Sequence, residues 1–178
     1  MEKLPLATRA LILIQDLIVN YWWAIIGGVT LVYALMKLYI ASSYGAVRWD
    51  YWKLKFPLIG QMLRKVYVLR FVSLLGILIE AGLPVIKALQ ITGNAIPNRI
   101  YKLKVQEVIN GVKVGGKISN SMMDSEFLFP SEITEMIAVG EASASLTKVS
   151  EKVSAQYQRE IDNTIKKLTS VFEPVMIL

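Results

Sequence analysis

LIVNYWWAIIGGVTLVYALM, residues 17–36, runs for twenty positions without a charged side chain. A helix needs about 20 apolar residues to cross roughly 30 Å of hydrocarbon, so this stretch reads as a spanning helix, placed at 21–41 with its flanks. Tyr21, Trp22 and Trp23 stand at one end, and Tyr33 and Tyr39 near the other. Amphipathic rings settle at those two depths of a bilayer. Lys37 can snorkel to the headgroups. The plainer alternative, a buried core helix, is disfavoured by so long an uncharged run. A secretory leader fits poorly as well. Asp16 precedes the stretch, and no small-residue cleavage site comes before the basic residues that follow.

Working outward, residues 1–20 read as an extracytoplasmic or interfacial segment. Leu6, Ala10, Leu13, Ile14 and Leu17 repeat at helical spacing between Thr8, Arg9, Gln15 and Asp16. Either this is an amphipathic helix lying in the interface or it extends the spanning helix. On the other side the charge is lopsided. The 178 residues carry a formal net charge of +6. Residues 1–36 cancel, and so do the eleven basic and eleven acidic side chains of 71–178. The whole excess lies in Lys37, Arg48, Asp50, Lys53, Lys55, Arg64, Lys65 and Arg70. Positive charge confined to one flank of a span marks the cytoplasmic side and a membrane-surface collar rather than a nucleic-acid site. Residues 42–63 are therefore expected as a basic juxtamembrane linker, with the remainder in the cytoplasm.

Composition narrows the chemistry. Hydrophobic residues make up 54% of the chain, and His and Cys are absent. Disulfides, thiolate nucleophiles, imidazole bases and the usual zinc ligand sets are thereby excluded.

From residue 64 the pattern is helix after helix, so the fold class is all-α: one spanning helix followed by a six-helix antiparallel bundle over 64–173. Residues 64–81 form the first helix, apolar nearly all round between Arg70 and Glu80, with too few uncharged residues to span. Gly82 supplies a left-handed cap, and Pro84 opens the second helix, which reaches Ala95. Asn98 caps the third, which ends at Gly115-Gly116. A short helix is expected after Ser119, a loop at Phe127–Pro130, and a fifth helix capped by Ser131 and reaching Val139 or a little beyond. In the sixth, Leu146, Val149, Val153, Tyr157, Ile161, Ile165, Leu168 and Phe172 step by three or four. That stripe predicts Tyr157 and Ile161 buried against the first helix near Leu74 and Leu78. Lys152 and Glu160 fall on its polar faces. Glu173-Pro174 then punctuates, and 174–178 read as the start of a truncated final span.

Two features invite chemistry. Gly111-Val-Lys-Val-Gly-Gly116-Lys117 follows the spacing of a phosphate loop, but Ile118 stands where a Ser or Thr must hold magnesium, and a helix rather than a strand precedes it. A plain Gly-Gly turn is the better reading. Glu132, Glu135 and Glu141 gather around the fifth helix. Glu135 and Glu141 are the weak candidates for a hard cation, against the commoner fate of solvation or ion pairing. The expectation is no metal, no cofactor and no catalytic residue.

The run Arg70-Phe71, Leu74-Leu75, Glu80-Ala81-Gly82-Leu83-Pro84 and Ala88-Leu89 resembles a recurrent segment of type II secretion system F proteins. Gly115 to Met122, Phe129-Pro130, Met136 to Glu141, Ser143, the Tyr157 helix and Glu173-Pro174 continue the likeness. Leu4-Pro5-Leu6, Tyr21-Trp22-Trp23, Arg48-Trp49-Asp50 and Pro57 to Gly60 extend it through the membrane segment. The resemblance implies the C-terminal half of a bacterial inner-membrane platform protein, of the kind that serves type IV pili, competence pseudopili and secretion. By that resemblance it is a non-enzymatic homo-oligomer coupling a cytoplasmic motor ATPase to pilin or pseudopilin, with membrane lipid around its span. Glu141, Lys152, Arg159 and Glu160 are the expected partner-binding residues. Where the family usually has glycine after Ser143 this chain has Ala144, so the fifth helix is expected to end differently or run on towards the sixth. A membrane-tethered helical adaptor or sensor is the alternative, and an ATPase of its own is more distant.

Overall fold

The computed structural model describes residues 6–57 and 59–176. Leu4-Pro5 at the start of the expected interfacial segment, Leu58, and Ile177-Leu178 of the expected final span lie outside the described residues. Among the described residues all the regular secondary structure is helical, with eight helices and no strand. It divides into two compact units, Met1–Ala46 and Val47–Leu178.

The first unit is dominated by α1, Leu6–Ala41, a single helix of 36 residues. At 1.5 Å per residue it is about 54 Å long. The helix is unbroken between the stretch expected at the interface and the span, so the reading in which the former extends the latter is the one observed. Trp22–Tyr39 is long and apolar enough to cross a membrane, and none of it is buried inside the protein.

The stretch 42–63, expected as a linker, is instead mostly helix: α2, Ser43–Lys55, and the first turn of α3, Ile59–Glu80. Leu54 on α2 is fully buried. Asp50 fastens α2 to the start of α5, Arg99–Lys113. Its carboxylate accepts the Arg99 N–H at 2.9 Å and its carbonyl accepts Asn98 Nδ2 at 3.4 Å. Helix α3 therefore begins five residues before the expected position 64.

α3 is the axis of the second unit. It buries Val68, Phe71, Val72 and Leu75, and it lies antiparallel to α8, Leu146–Met176. Lys65 meets Glu160, Ser73 meets Ser154 and Gly76 meets Ser150, so one number rises as the other falls. A Cβ at Gly76 would sit 2.5 Å from that of Ser150, so only glycine permits this closeness. Val153, Tyr157 and Ile161 of α8 are buried as the stripe predicts, but Tyr157 and Ile161 lie against earlier turns of α3 than Leu74 and Leu78, because Ser154 already meets Ser73 and Glu160 meets Lys65. Ile165, the next position of the stripe, is 45% exposed, and the side chains of Leu168 and Phe172 lie outside those described. Helix α8 also continues through Glu173-Pro174 rather than stopping, since a proline removes one ladder hydrogen bond without being bound to end a helix.

Gly82 turns the chain with φ +79°, and Pro84 stands at the N-cap of α4, Val85–Ala95. Asn98 caps α5 as read, its Oδ1 accepting from the amides of Ile100 and Tyr101. α6 covers Ile118–Met123 and α7 covers Ser131–Ala142. Ser131 is not a cap: Pro130 occupies the N-cap position and no side chain bonds there. The loop before it is part of the core. Phe129 meets the Phe71 ring at a tilt and the Tyr101 ring edge-to-face, with centroids 5.1 and 5.4 Å apart, and Tyr101 Oη donates to the Leu128 carbonyl at 2.8 Å. Burial raises the Tyr101 phenol well above its ordinary pKa.

Ala144 corrects the expectation drawn from its missing glycine. It adopts φ 50° and keeps the left-handed turn, with Ser145 N–H donating to the Gly140 carbonyl at 2.8 Å. Closing α7 in this way outweighs the strain an L-residue carries there, which is about 1–2 kcal/mol.

Candidate interaction surface

The four side chains expected to meet partners divide into two that are used inside the domain and two that face solvent. Glu141 belongs to the first pair. Its Oε1 accepts the Ile118 N–H at 2.6 Å, and its Oε2 accepts the Ser119 N–H at 3.0 Å and the Ser119 hydroxyl at 2.6 Å. Helix α6 needs this, because Lys117 at its N-cap offers no side-chain acceptor. The amides a phosphate loop would turn towards phosphate are thus filled by the protein's own carboxylate. Glu135 is exposed and six positions away on α7, about 240° round the helix, so it does not join Glu141. Among the described residues no three carboxylates come within reach of one metal ion.

Glu160 is the second internal group, which the α8 stripe placed on an open polar face. It accepts Lys65 Nζ at 2.6 Å, and Gln156 Nε2 bridges it to Glu132 at 3.4 and 2.9 Å. A chain of polar contacts so runs from α3 across α8 to α7. The Lys65 hydrogen bond, opposed by partial burial and aided by Gln156, holds the Glu160 carboxyl below its ordinary pKa. Both side chains of the pair are 38% exposed, which keeps its worth to about 1 kcal/mol or less. Tyr157, one turn away, is pushed up to about 12 by burial, with Glu132 and Glu160 adding to it.

Lys152 and Arg159 are exposed, and a seven-residue separation sets them on one side of α8 two turns apart. Lys148 and Lys166 fall within about 40° of the same line. All four are exposed and lie on the side opposite Val153, Tyr157 and Ile161. The result is a mainly basic ridge about 27 Å long, with the exposed acids Glu151 and Asp162 along one edge. Lys148 and Lys166 were not among the residues expected to meet partners, although their helical spacing from Lys152 and Arg159 was the available signal.

A second feature is a cleft of about 250 Å³ lined by Gln61, Arg64, Lys65, Val68, Phe127 and Tyr157 among others. Its cations are committed: Arg64 lies 4.6 Å above the Phe127 ring and donates to its carbonyl at 3.3 Å, and Lys65 holds Glu160. The arrangement offers charge for docking.

The family model of type II secretion system protein F matches residues 71–178. The type IV pilus assembly protein PilC of Thermus thermophilus is 29% identical over 99% of this chain and 44% of its own length. The type II secretion system protein F of Pseudomonas aeruginosa is 32% identical over 99% of this chain and 44% of its own length, and Myxococcus xanthus PilC is 29% identical over 99% and 42%. The chain spans less than half the length of these relatives. With the match covering α3 to α8 apart from the first turns of α3, the chain belongs to the type II secretion system protein F family.

Proposed function

We propose that this chain is a non-catalytic platform of a type IV pilus or type II secretion machine in a bacterial inner membrane. In this reading α1 crosses the bilayer, and residues 64–173 form a six-helix antiparallel cytoplasmic bundle. The platform acts as a homo-oligomer and couples a cytoplasmic motor ATPase to pilin or pseudopilin. The observation that carries the proposal is the family membership of a chain whose candidate span Trp22–Tyr39 is accompanied, from Lys37 onward, by its entire excess of positive charge. The relatives' names supply the two machines, pilus assembly and secretion. Lys152 and Arg159, with Lys148 and Lys166, are the surface offered to an acidic partner, while Glu141 and Glu160 hold the domain in shape. In this reading force comes from a separate motor.

The test is a charge reversal. Lys152→Glu with Arg159→Glu lies on the exposed ridge and should change domain stability by less than about 0.5 kcal/mol per site. It should nevertheless abolish pilus assembly or secretion and the cross-link to the motor. Normal assembly in that double variant would remove the ridge from the partner surface. A single cysteine at Ser121, in a chain that has none, reports topology. Its labelling by an impermeant reagent in intact cells would overturn the cytoplasmic placement.

A further inference from the structure

Helix α2 presents two unlike faces. Leu54 is buried, Asp50 is tied to Asn98 and Arg99, and the Tyr51 ring lies 5.8 Å from that of Phe127. Arg48, Trp52, Lys55 and Phe56 follow the i, i+4, i+7, i+8 spacing of a single helical side, turned away from Leu54 and Asp50. Phe56 still belongs to this turn, since its N–H donates to the Trp52 carbonyl at 3.1 Å. All four side chains are exposed, Trp52 by 61% and Phe56 by 58%. Asp50, the acidic residue in this stretch, faces inward and is spent on an amide and on Lys53.

We infer that this outer face of α2 is a seat for anionic phospholipid headgroups, with Arg48 and Lys55 taking the phosphates and Trp52 and Phe56 entering the interface between them. The inference rests on the membrane reading above and adds a lipid class and a site to it. Three observations favour lipid over a protein partner. Large aromatic rings alternating with cations suit the polar-to-apolar gradient of an interface, where rings settle and cations reach phosphate. The face carries charge of one sign, complementary to an anionic leaflet, and belongs to the stretch that holds the chain's whole excess. Arg48 stands nine positions after Tyr39, the end of the candidate span. Chain geometry then keeps them within about 30 Å of each other whatever the path between.

The full chain, reconstituted in nanodiscs of phosphatidylcholine with or without one-third phosphatidylglycerol, tests this. Single cysteines replace Trp52, Phe56, Lys152 or Val29 in turn and carry a spin label. With phosphatidylglycerol, labels at 52 and 56 should be shielded from a water-soluble nickel relaxant and exposed to oxygen, whereas the label at 152 stays aqueous. Omitting phosphatidylglycerol, or introducing Arg48→Gln with Lys55→Gln, should return labels 52 and 56 towards water. At about 1 kcal/mol for each cation near an anionic surface, the double variant shifts the seated-to-free ratio roughly 30-fold. Labels at 52 and 56 as aqueous as that at 152 in every nanodisc overturn the inference, as does seating that ignores phosphatidylglycerol. The label at Val29 separates the two levels: lipid-exposed there with aqueous 52 and 56, only the α2 seat fails, whereas an aqueous Val29 sinks the membrane reading itself.

Discussion

The Trp22–Tyr39 stretch of α1 and the Phe71–Ile79 stretch of α3 are both apolar nearly all round, yet they solve that problem in opposite ways. The Trp22–Tyr39 stretch of α1 leaves every described side chain outward, while α3 buries Val68, Phe71, Val72 and Leu75 under other helices. Hydrophobicity alone does not separate them. The distance between charges does: twenty uncharged residues in 17–36 against nine between Arg70 and Glu80, or about 30 Å of helix against about 14 Å. The first matches a bilayer and the second a protein core.

The contrast breaks if damage to one helix spreads to the other. The largest effect is expected for Phe71→Ala, which empties a fully buried site against the Phe129 ring. It should cost about 3–5 kcal/mol, a large part of a domain's usual 5–15, and lower the melting temperature sharply. Membrane insertion should be unchanged. Val29→Lys should do the reverse, making insertion about 2.5–3.5 kcal/mol less favourable at mid-membrane while leaving the melting of the helical domain alone. A melting shift in the second variant, or lost insertion in the first, would show that the two helices are not the separate solutions described.

Smaller effects sharpen the picture of what a protein core demands and a bilayer does not. Glu141→Ala strips three hydrogen bonds from the start of α6 and should cost about 1.5–3 kcal/mol in urea unfolding, with Glu141→Gln recovering part. Ala144→Gly should stabilise the domain by about 1 kcal/mol by relieving the left-handed alanine. Glu160→Gln should cost less than about 1 kcal/mol at neutral pH. Because the folded carboxyl is held below its unfolded value, this contribution is present above the unfolded pKa of about 4.3 and fades as pH falls through the folded one. Wild type and variant should therefore converge in acid; a gap that persists at pH 2 would mean Glu160 acts through something other than its charge.

The features legible in the sequence are those governed by neighbours along the chain. Val153, Tyr157 and Ile161 announce their burial by helical spacing, Asn98 announces a cap, and Gly82 a left-handed turn. The unread ones depend on residues distant in sequence. Nothing near Ile118 reveals that its amide is met by a carboxylate 23 positions on, or that Asp50 bonds to Arg99, 49 positions away. Lys65 and Glu160 are 95 apart, which is why Glu160 reads as open polar surface until α3 is laid beside α8. The one visible hint was negative: α6 starts without a local acceptor, so one had to come from elsewhere. Ala144 shows the converse limit, since a preference of about 1–2 kcal/mol per residue yields to the packing that closes α7.

The antiparallel α3–α8 seam also fixes how the domain responds to load. The beginning of α3 and the later turns of α8 lie at the same end of the pair, beyond the Lys65–Glu160 contact. Tension that draws those two ends apart peels the seam like a zipper rather than shearing it. The half-exposed ion pair gives way first, the Ser73–Ser154 hydroxyl contact next, and the Gly76–Ser150 contact last. Tension that moves both ends in one direction strains none of these contacts and carries the pair as a rigid body. The same joint is therefore compliant to spreading and stiff to translation.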